Sequence, residues 1–284
     1  MDRKEKLELQ KFATQIRIET VKQVVVRGFG HLGGSLSIVD ALAVLYAKEM
    51  RVDPKNPTWP DRDIMVCSKG HAGPAVYSTL ALKGYFPMDE LKTLNQPGTN
   101  LPSHCDRNLT VGVDMTTGSL GQGVSTGIGM ALAQKVDGKD SRTYIFVGDG
   151  ESQEGQVWEG MTFAAQYKLD NLVLFFDSNG KQLDGYTKDV MDVRDLRAKA
   201  EAFGWNAVSV DGHDVEAIDN ALQEAKTVKG VPTCIVLNTV KGKGAPELEA
   251  ILLNHHSAIS EEFGANALAG LENDLAEIEK ELKE

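Results

Sequence analysis

The segment 143–155, TYIFVGDGESQEG, contains the pattern that decides the fold. Its apolar residues 143–147 predict a short buried strand that ends in the turn Gly148-Asp149-Gly150, before a predicted helix. Open parallel sheets bind ligands where their strands end, so this turn lies at an expected site. The glycines let a phosphate approach the backbone, and the free N–H groups at a helix start favour an anion. The segment therefore predicts an anion site beside the carboxylate of Asp149.

A second predicted strand end supplies a partner for Asp149. The apolar residues 172–176 are followed by Asp177-Ser178-Asn179-Gly180, and both strand ends are expected at the same edge of a parallel sheet. Mg²⁺ prefers octahedral coordination by oxygen and is usually shared with phosphate. A carboxylate, an amide oxygen, a backbone carbonyl and diphosphate oxygens would satisfy it. The alternative is two tight turns in which Asp149 and Asn179 have ordinary turn roles.

Strands and helices alternate along most of the chain, which indicates an α/β fold. Helices are predicted at 5–26, 37–50, 73–83, 122–136, 155–168, 193–203 and 214–228, and strands at 64–67, 143–147, 172–176, 207–210 and 233–239. The strands are short and continuously apolar, as in a parallel sheet buried on both faces. We therefore expect three layers, with a mostly parallel central sheet and helices on both faces.

Three further segments complete the predicted organisation. Ser35 or Ser37 is the expected cap of the helix at 37–50, and the Pro-, Asn- and Gly-rich stretch 87–112 is expected to be a long ordered loop. After Ser260 a charged amphipathic helix follows. Its apolar residues have 3-4-3-4 spacing and are Leu268, Leu271, Leu275, Ile278 and Leu282. We expect a main domain at 1–258 and a helix at 259–284 that packs on that domain or on a partner.

The overall composition excludes several classes of protein. The 284 residues carry a net charge of −11, which disfavours a nucleic-acid-binding protein. Cys67, Cys105 and Cys234 are widely spaced, so neither a zinc ribbon nor a disulfide framework is indicated. The charged N-terminus has no apolar segment behind it, and no stretch has the length of a membrane span. We expect a cytoplasmic protein with reduced thiols.

The histidines are few and concentrated in loops. Of six in the chain, His31, His71 and His104 lie in or beside turn-rich segments. A side chain that titrates near neutral pH suits proton transfer to and from hydroxyl groups, although a single loop histidine is more often just hydrogen-bonded. His213, in Asp211-Gly212-His213-Asp214, is instead expected in a turn before a helix that Asp214 caps.

Several spaced motifs together resemble those of transketolases, which depend on thiamine diphosphate. They are GHLGGSLS at 30–37, SKGHAG at 68–73, LPSH at 101–104, TTGSLGQG at 116–123 and GDGESQEG at 148–155. The resemblance covers about residues 10–260 and implies the thiamine-diphosphate-binding fold. One departure is Leu32, where the family commonly has proline after the first histidine; this affects the stiffness of the loop rather than the histidine.

The resemblance implies a set of site residues. Asp149 and Asn179 would bind Mg²⁺, or Ca²⁺ or Mn²⁺ in its place, through their side chains, and Lys181 through its carbonyl. The implied cofactor-binding residues are His71, Gly118, Ser119, Leu120, Gly148, Asp149, Gly150, Glu151, Asn179 and His256. The implied catalytic residues are His31, His71, His104 and His256, which would line the substrate channel, and Glu154, which would lie at a subunit contact. His255 is an alternative to His256.

The resemblance also implies a partner. In the family, a glutamate on a second, pyrimidine-binding domain activates the cofactor, and 284 residues leave no room for that domain. The expected partner is therefore a separate C-terminal transketolase subunit that supplies the glutamate, in an α2β2 heterotetramer. The expected reaction transfers a two-carbon ketol unit from a ketose, or ketose phosphate, to an aldose, as in pentose-phosphate metabolism.

Other functions remain open at this point. The chain could be half of a deoxyxylulose-phosphate synthase-like enzyme or of a 2-oxo-acid dehydrogenase, or a non-catalytic cofactor-binding partner. A dinucleotide-binding loop at 118–123 is a poor alternative, because no clear apolar strand precedes it. The basic turn Lys241-Gly242-Lys243-Gly244 either covers the diphosphate or is only a surface turn.

Overall fold

A parallel five-stranded sheet forms the centre of the molecule, which a computed structural model describes for residues 1–284. The strands are β1 (Phe29–Gly30), β2 (Ile64–Cys67), β3 (Thr143–Gly148), β4 (Leu172–Ser178), β5 (Lys181–Gln182), β6 (Gly185–Tyr186), β7 (Asn206–Asp211), β8 (Thr233–Asn238) and β9 (Ser257–Ala258). The central sheet has the order β2-β3-β4-β8-β7 and every neighbouring pair is parallel. The predicted sheet is confirmed, and its five strands end at one common edge.

Helices cover both faces of the sheet. They are α1 (Arg3–Arg27), α2 (Leu32–Leu36), α3 (Val39–Val44), α4 (Gly73–Lys83), α5 (Gln122–Val136), α6 (Gly155–Gln166), α7 (Thr187–Val190), α8 (Leu196–Ala202), α9 (Val215–Thr227), α10 (Pro246–Ala250) and α11 (Glu261–Glu281). Because side chains alternate along a strand, β3 contributes Tyr144 and Phe146 to one core, and Ile145 and Val147 to the other. These two cores separate the three predicted layers.

The prediction of one helix at 37–50, capped by Ser35 or Ser37, is wrong about the residue at which the helix begins and about its capping residue. Residues 32–36 already form α2, and α3 begins after Ile38, which makes no side-chain capping bond. The fully buried hydroxyl of Ser37 donates instead to the carboxylate of Asp177 at 2.8 Å. A buried carboxylate needs donors, and this demand outweighs the local preference for a serine cap. The final turn, Leu45–Glu49, is π-helical.

The segment 87–112 is only partly the loop that was expected. Its first part forms a 3₁₀ helix, Met88–Thr93, and the remainder consists of turns and bends. Backbone hydrogen bonds between nearby residues hold this part of the chain in place. For example, the N–H of Asn95 donates to the carbonyl of Leu101 at 2.8 Å. Leu101 is fully buried. The segment is therefore ordered, as predicted, and it carries His104 to the carboxyl edge of the sheet.

The C-terminal helix α11 packs along α1 in the antiparallel direction. Gly264 lies against Val25 near the end of α1, whereas Lys11 pairs with Glu279 at 2.9 Å nearer its start. Ser260 caps α11 by accepting from the N–H of Phe263 at 3.1 Å. The predicted apolar face is turned inward: Leu271 is buried and Leu268, Leu275, Ile278 and Leu282 are half-buried.

The cysteines form no disulfide bond. All three cysteines are free and buried. Burial raises the pKa of the Cys234 thiol above its usual range. No helix has both the length and the apolar character needed to cross a lipid bilayer.

Candidate functional site

A polar cavity of about 240 Å³ lies at the carboxyl edge of the central sheet. Its lining residues come from α2 and from the segments that follow β2, β3, β4 and β8. They are Gly34, Lys69, His71, Leu120, Gly148, Asp149, Gly150, Glu151, Gln153, Glu154, Asn179, Lys181, Gln182, Leu183, Lys241 and His255. Only Leu120 and Leu183 are hydrophobic. The cavity therefore suits the charged end of a ligand better than an apolar ring.

Asp149 joins the ends of β3 and β4. One carboxylate oxygen accepts from the N–H of Gly150 at 2.8 Å, and the other from the N–H of Gly180 at 2.7 Å. Thr187 Oγ1 lies 3.2 Å from the second oxygen. Burial, and secondarily the charge of Asp177, raise the pKa of Asp149 to about 6. A bound cation would reverse this penalty by favouring the charged carboxylate.

Asn179 and Lys181 provide oxygen atoms beside Asp149. The side-chain amide of Asn179 donates to Asp177 at 2.9 Å, which fixes the direction of its oxygen. That oxygen accepts from the N–H of Lys181 at 3.1 Å. The carbonyl of Lys181 accepts from Lys241 Nζ at 3.2 Å. A carboxylate, an amide and a carbonyl are the oxygen donors that Mg²⁺ prefers, so the three predicted metal ligands fit a hard cation.

Lys69, which lines the cavity, belongs to a buried ion pair that the sequence did not reveal. Asp177 is 0% exposed and Lys69 is 1% exposed, and their charged groups are in direct contact. Asp177 also accepts from Ser37, Asn179 and Thr239. Burial alone would raise the pKa of Asp177, but Lys69 and these donors outweigh it and hold the pKa below its usual range. Through the carboxylate of Asp177, the pair orients the side-chain amide of Asn179.

Glu151 ties three segments of the cavity wall together. It accepts from Ser68 Oγ, from the N–H of Gly121 at 2.8 Å, and from the N–H of Gly148 at 3.0 Å. The side chain is buried, and burial raises its pKa. Protein donors thus engage both of its oxygens, which makes Glu151 a positioning residue. Its predicted contact with the cofactor stays a prediction.

The loop that contains Gly118, Ser119 and Leu120 packs tightly against the histidine segments. A Cβ on Gly118 would lie 2.8 Å from the ring of His104, and its φ of +133° also disfavours a side chain. A Cβ on Gly70 would lie 2.6 Å from the carbonyl of Thr117. Leu120 lines the cavity and Ser119 is exposed. The predicted backbone contacts of this loop to the cofactor stay a prediction.

Five of the six histidines form one cluster. The ring centroid of His31 lies 5.6 Å from that of His71, 5.2 Å from His104, 5.3 Å from His255 and 4.7 Å from His256. Burial, and then His104 and His256, lower the pKa of His31 to about 4. Burial also lowers the pKa of His71 and of His104. Burial therefore favours the neutral form of these three predicted histidines.

The two C-terminal histidines occupy different places in the cluster. His255 lines the cavity, with its ring 4.5 Å from that of His71 and its Nδ1 3.2 Å from Lys241 Nζ. Burial, and then Lys241, lower the pKa of His255 to about 3. His256 is exposed and lies against Phe29 and His31. The sequence favoured His256 as the cofactor neighbour and left His255 as the alternative; of the two, His255 lines the cavity.

Glu154 and His213 are the remaining residues that the sequence singled out. Glu154 is exposed at the cavity rim, where it precedes the first residue of α6, so a subunit contact there stays a prediction. His213 does lie in a turn before α9, and Asp214 caps that helix. Its ring also contacts Asp40 at 2.9 Å and accepts from the N–H of Val240 at 2.8 Å. His213 therefore holds the turn after β8, which sequence reasoning missed.

Comparison with protein families matches residues 9–273 to the family described as transketolase, thiamine diphosphate binding domain. The chain is 50% identical over 270 residues to the 6-deoxy-6-sulfo-D-fructose transketolase subunit SqwG of Clostridium sp. (strain MSTE9), with 95% of this chain and 98% of that protein covered. It is 37% identical over 277 residues to an apulose-4-phosphate transketolase subunit of Phocaeicola vulgatus, with 98% of each covered.

Solved structures with a similar fold are longer proteins. Transketolase from Leishmania mexicana has a TM-score of 0.84 and 30% identity, with 97% of this chain and 45% of that chain covered. Transketolase from Pichia stipitis in complex with sedoheptulose 7-phosphate has a TM-score of 0.83 and 32% identity, with 98% and 45% covered. The chain thus spans a little under half the length of these enzymes.

Proposed function

The chain belongs to the transketolase family as its thiamine-diphosphate-binding domain, and we propose that it is the N-terminal subunit of a two-chain transketolase. One observation carries the proposal. Asp149, Asn179 and the carbonyl of Lys181 meet at one polar cavity, where the N–H of Gly180 ties Asp149 to the end of the neighbouring strand. This arrangement suits a divalent cation and the diphosphate that it would hold.

Different residues of the chain would bind the metal and the diphosphate and would transfer protons. Asp149, Asn179 and Lys181 would hold Mg²⁺, and the diphosphate would lie beside them against Gly148 and Gly150, which line the cavity. Thiamine diphosphate, when bound, supplies the carbon–carbon bond chemistry, and the protein supplies orientation and electrostatics. The histidine cluster, of which His71 and His255 line the cavity, would exchange protons with the hydroxyl groups of the sugar.

A second polypeptide would complete the site. The two relatives described above match this chain over 98% of their own length and are named as transketolase subunits. We propose that the partner is a C-terminal transketolase subunit, which brings the pyrimidine-binding domain and the activating glutamate, in an α2β2 heterotetramer. The exposed position of Glu154 at the rim supports a contact on that side of the cavity.

The substrates would be a ketose donor and an aldose acceptor. Xylulose 5-phosphate and ribose 5-phosphate test a pentose-phosphate activity. The relative that shares 50% identity is named for 6-deoxy-6-sulfo-D-fructose. That ketose is therefore the second donor to test, because half of the residues are shared along nearly the whole chain.

The test compares metal-dependent cofactor binding and turnover. We expect Asp149→Asn to weaken binding of thiamine diphosphate with Mg²⁺ by more than about 100-fold in calorimetry, because even outer metal-site groups contribute roughly 10- to 100-fold. Asp184→Asn, an exposed carboxylate in the turn between β5 and β6, is the matched control. Unchanged affinity in Asp149→Asn would remove this residue from the site, and ketol transfer by the purified chain alone would refute the two-chain assignment.

A further inference from the structure

A second polar depression lies at the amino edge of the central sheet, opposite the cavity at its carboxyl edge. Its volume is about 260 Å³, and none of its lining residues is hydrophobic. The lining comes from the segments that lead into β3, β4 and β8. Because the length of β3 separates it from Asp149, this amino-edge depression lies roughly 20 Å from the proposed metal site. It is therefore separate from the site that would hold the cofactor.

Positive charge is in excess around the amino-edge depression, although the chain as a whole has a net charge of −11. Its basic residues are Lys135, Lys139, Arg142 and Lys229, and its acidic residues are Asp140 and Asp170. Both carboxylates are already engaged. Asp140 pairs at 3.8 Å with Arg51, which lies outside the lining. Asp170 accepts from Lys135 Nζ at 2.7 Å and from the N–H of Gly230 at 2.9 Å. The positive excess therefore has no counter-charge within the chain.

Arg142 and Lys229 are the two basic residues of the depression without an acidic partner. The guanidinium of Arg142 donates to the carbonyl of Asp170 at 3.4 Å, and the ammonium of Lys229 donates to the carbonyl of Lys226 at 3.2 Å. Both acceptors are neutral. Asp170 also links the two cations, because its carboxylate holds the N–H of Gly230, the residue after Lys229. Two cations without counter-charges thus meet at one polar depression.

Ser141 adds a hydroxyl group that has no partner in the chain. Ser141 lines the depression and is 1% exposed, and its Oγ makes no hydrogen bond. A buried polar group without a partner is costly, so it requires an explanation. The backbone beside it is fixed, since the N–H of Arg142 donates to the buried carboxylate of Asp63 at 2.8 Å. The side-chain oxygen of Asn171, in the same lining, also lacks a donor.

We propose that the amino-edge depression binds a phosphate group, either free or carried by a small metabolite, through Arg142, Lys229 and Ser141. A guanidinium can hold two phosphate oxygens at once, and hydrogen bonds between charged groups are stronger than neutral ones. The hydroxyl of Ser141 donates to a third oxygen, and the oxygen of Asn171 accepts from a hydroxyl group of an esterified ligand. The site does not depend on cofactor binding, so it stands apart from the proposed function.

The test measures binding of inorganic phosphate and of glycerol 3-phosphate to the full chain by calorimetry, with glycerol as the uncharged control. We expect Arg142→Gln to weaken binding of both phosphate probes by roughly 10- to 150-fold, the loss expected for a hydrogen bond between charged groups. Lys229→Gln should weaken it by roughly 2- to 5-fold, because this ammonium is exposed. The matched control is Lys4→Gln, at an exposed lysine of α1, which should bind like the wild type.

The two probes also distinguish the sources of the phosphate group. Tighter binding of glycerol 3-phosphate than of inorganic phosphate would identify a phosphorylated metabolite as the ligand, with its hydroxyl group on Asn171. Equal binding would identify free phosphate. Both outcomes support the site, whereas a wild-type chain that binds neither probe saturably would overturn the proposal.

Ser141→Ala separates ligand binding from a structural role. Because the hydroxyl has no partner in the ligand-free chain, the melting temperature of this variant should equal or exceed that of the wild type. Its affinity for both phosphate probes should nevertheless fall by about 2- to 10-fold. Wild-type affinity in Arg142→Gln would place the phosphate elsewhere and overturn the proposal. Lys229→Gln, at an exposed position, decides the question in the same way if Arg142→Gln does not fold.

Discussion

The ammonium of Lys69 and the carboxylate of Asp177 form an ion pair that is almost completely shielded from solvent beneath the cavity. The pair joins the segment after β2 to the end of β4, and the same carboxylate orients the amide of Asn179 at 2.9 Å. The predicted metal site therefore depends on a pair of charges that would not themselves contact the metal.

Breaking this pair should be costly because the remaining charge has no partner. We expect Lys69→Met to lower the free energy of unfolding by about 3–5 kcal/mol, as for other buried pairs that lose one member. Urea denaturation measures the change. The control is Glu201→Ala, which breaks the exposed Arg197–Glu201 pair and should cost less than about 0.5 kcal/mol. A loss below about 1 kcal/mol for Lys69→Met would show that water reaches Asp177.

The histidine cluster should make the stability of the chain sensitive to acid. The pKa of His31 is lowered to about 4 in the folded chain, against about 6.5 when unfolded. Its contribution to stability is therefore present above about pH 6.5 and is lost as the pH falls from there towards about 4. Asp149 acts in the opposite direction, because its pKa is raised in the folded chain.

A comparison of variants isolates the histidine effect. We expect the free energy of unfolding to fall less between about pH 7.5 and about pH 4.5 in His31→Gln than in the wild type, because the variant has no imidazole to protonate on unfolding. Asp149 is present in both proteins, so its opposite effect cancels. The same fall in both proteins would mean that the ring of His31 is hydrated and titrates normally.

The turn after β8 should loosen when His213 is removed. His213→Ala leaves the N–H of Val240 without its acceptor and removes one of the two partners of Asp40 Oδ2, which Arg17 still contacts. We expect the free energy of unfolding to fall by about 1–3 kcal/mol and amide exchange at Val240 to accelerate. Val236, within β8, is the internal control. Unchanged exchange at Val240 would show that the turn keeps its position without the histidine.

The sequence predicted those parts of the fold and site that depend on local pattern. The apolar runs of β3 and β4 give the strands, and geometry alone brings the residues after parallel strands to one edge. For this reason Asp149 and Asn179 could be placed at one cavity from a single chain. The amphipathic spacing of α11 likewise predicted which of its leucines face inward.

The parts that could not be predicted depend on contacts between distant segments. Ser37 lies 140 residues from Asp177 and Lys69 lies 108 residues from it, and no local pattern links them. A serine before a helix suggests a cap, but the buried carboxylate requires its hydroxyl. Likewise, the turn containing Lys241 and Lys243 is symmetric in sequence, and only packing against α2 decides which ammonium faces the cavity.

Two glycines of α5 offer a last test of how tightly the site is packed. A Cβ on Gly123 would lie 2.6 Å from Ser68 Oγ and 2.7 Å from Ser68 Cα, whereas a Cβ on Gly129 would have nothing within 4 Å. Gly129→Ala should raise the free energy of unfolding by roughly 0.5–1 kcal/mol through helix propensity alone. Gly123→Ala should instead lower it by about 1–3 kcal/mol, because overpacking moves the backbone.

The effect of Gly123→Ala should extend to the cavity. Ser68 donates to Glu151, and Glu151 also holds the N–H groups of Gly121 and Gly148. A shift of Ser68 therefore displaces the turn that precedes Asp149, and we expect weaker binding of thiamine diphosphate with Mg²⁺ in this variant only. Urea denaturation and calorimetry of the two alanine variants measure both effects. If Gly123→Ala stabilises the chain as much as Gly129→Ala does, α5 can move away from the segment after β2, and Glu151 does not rigidly couple the two.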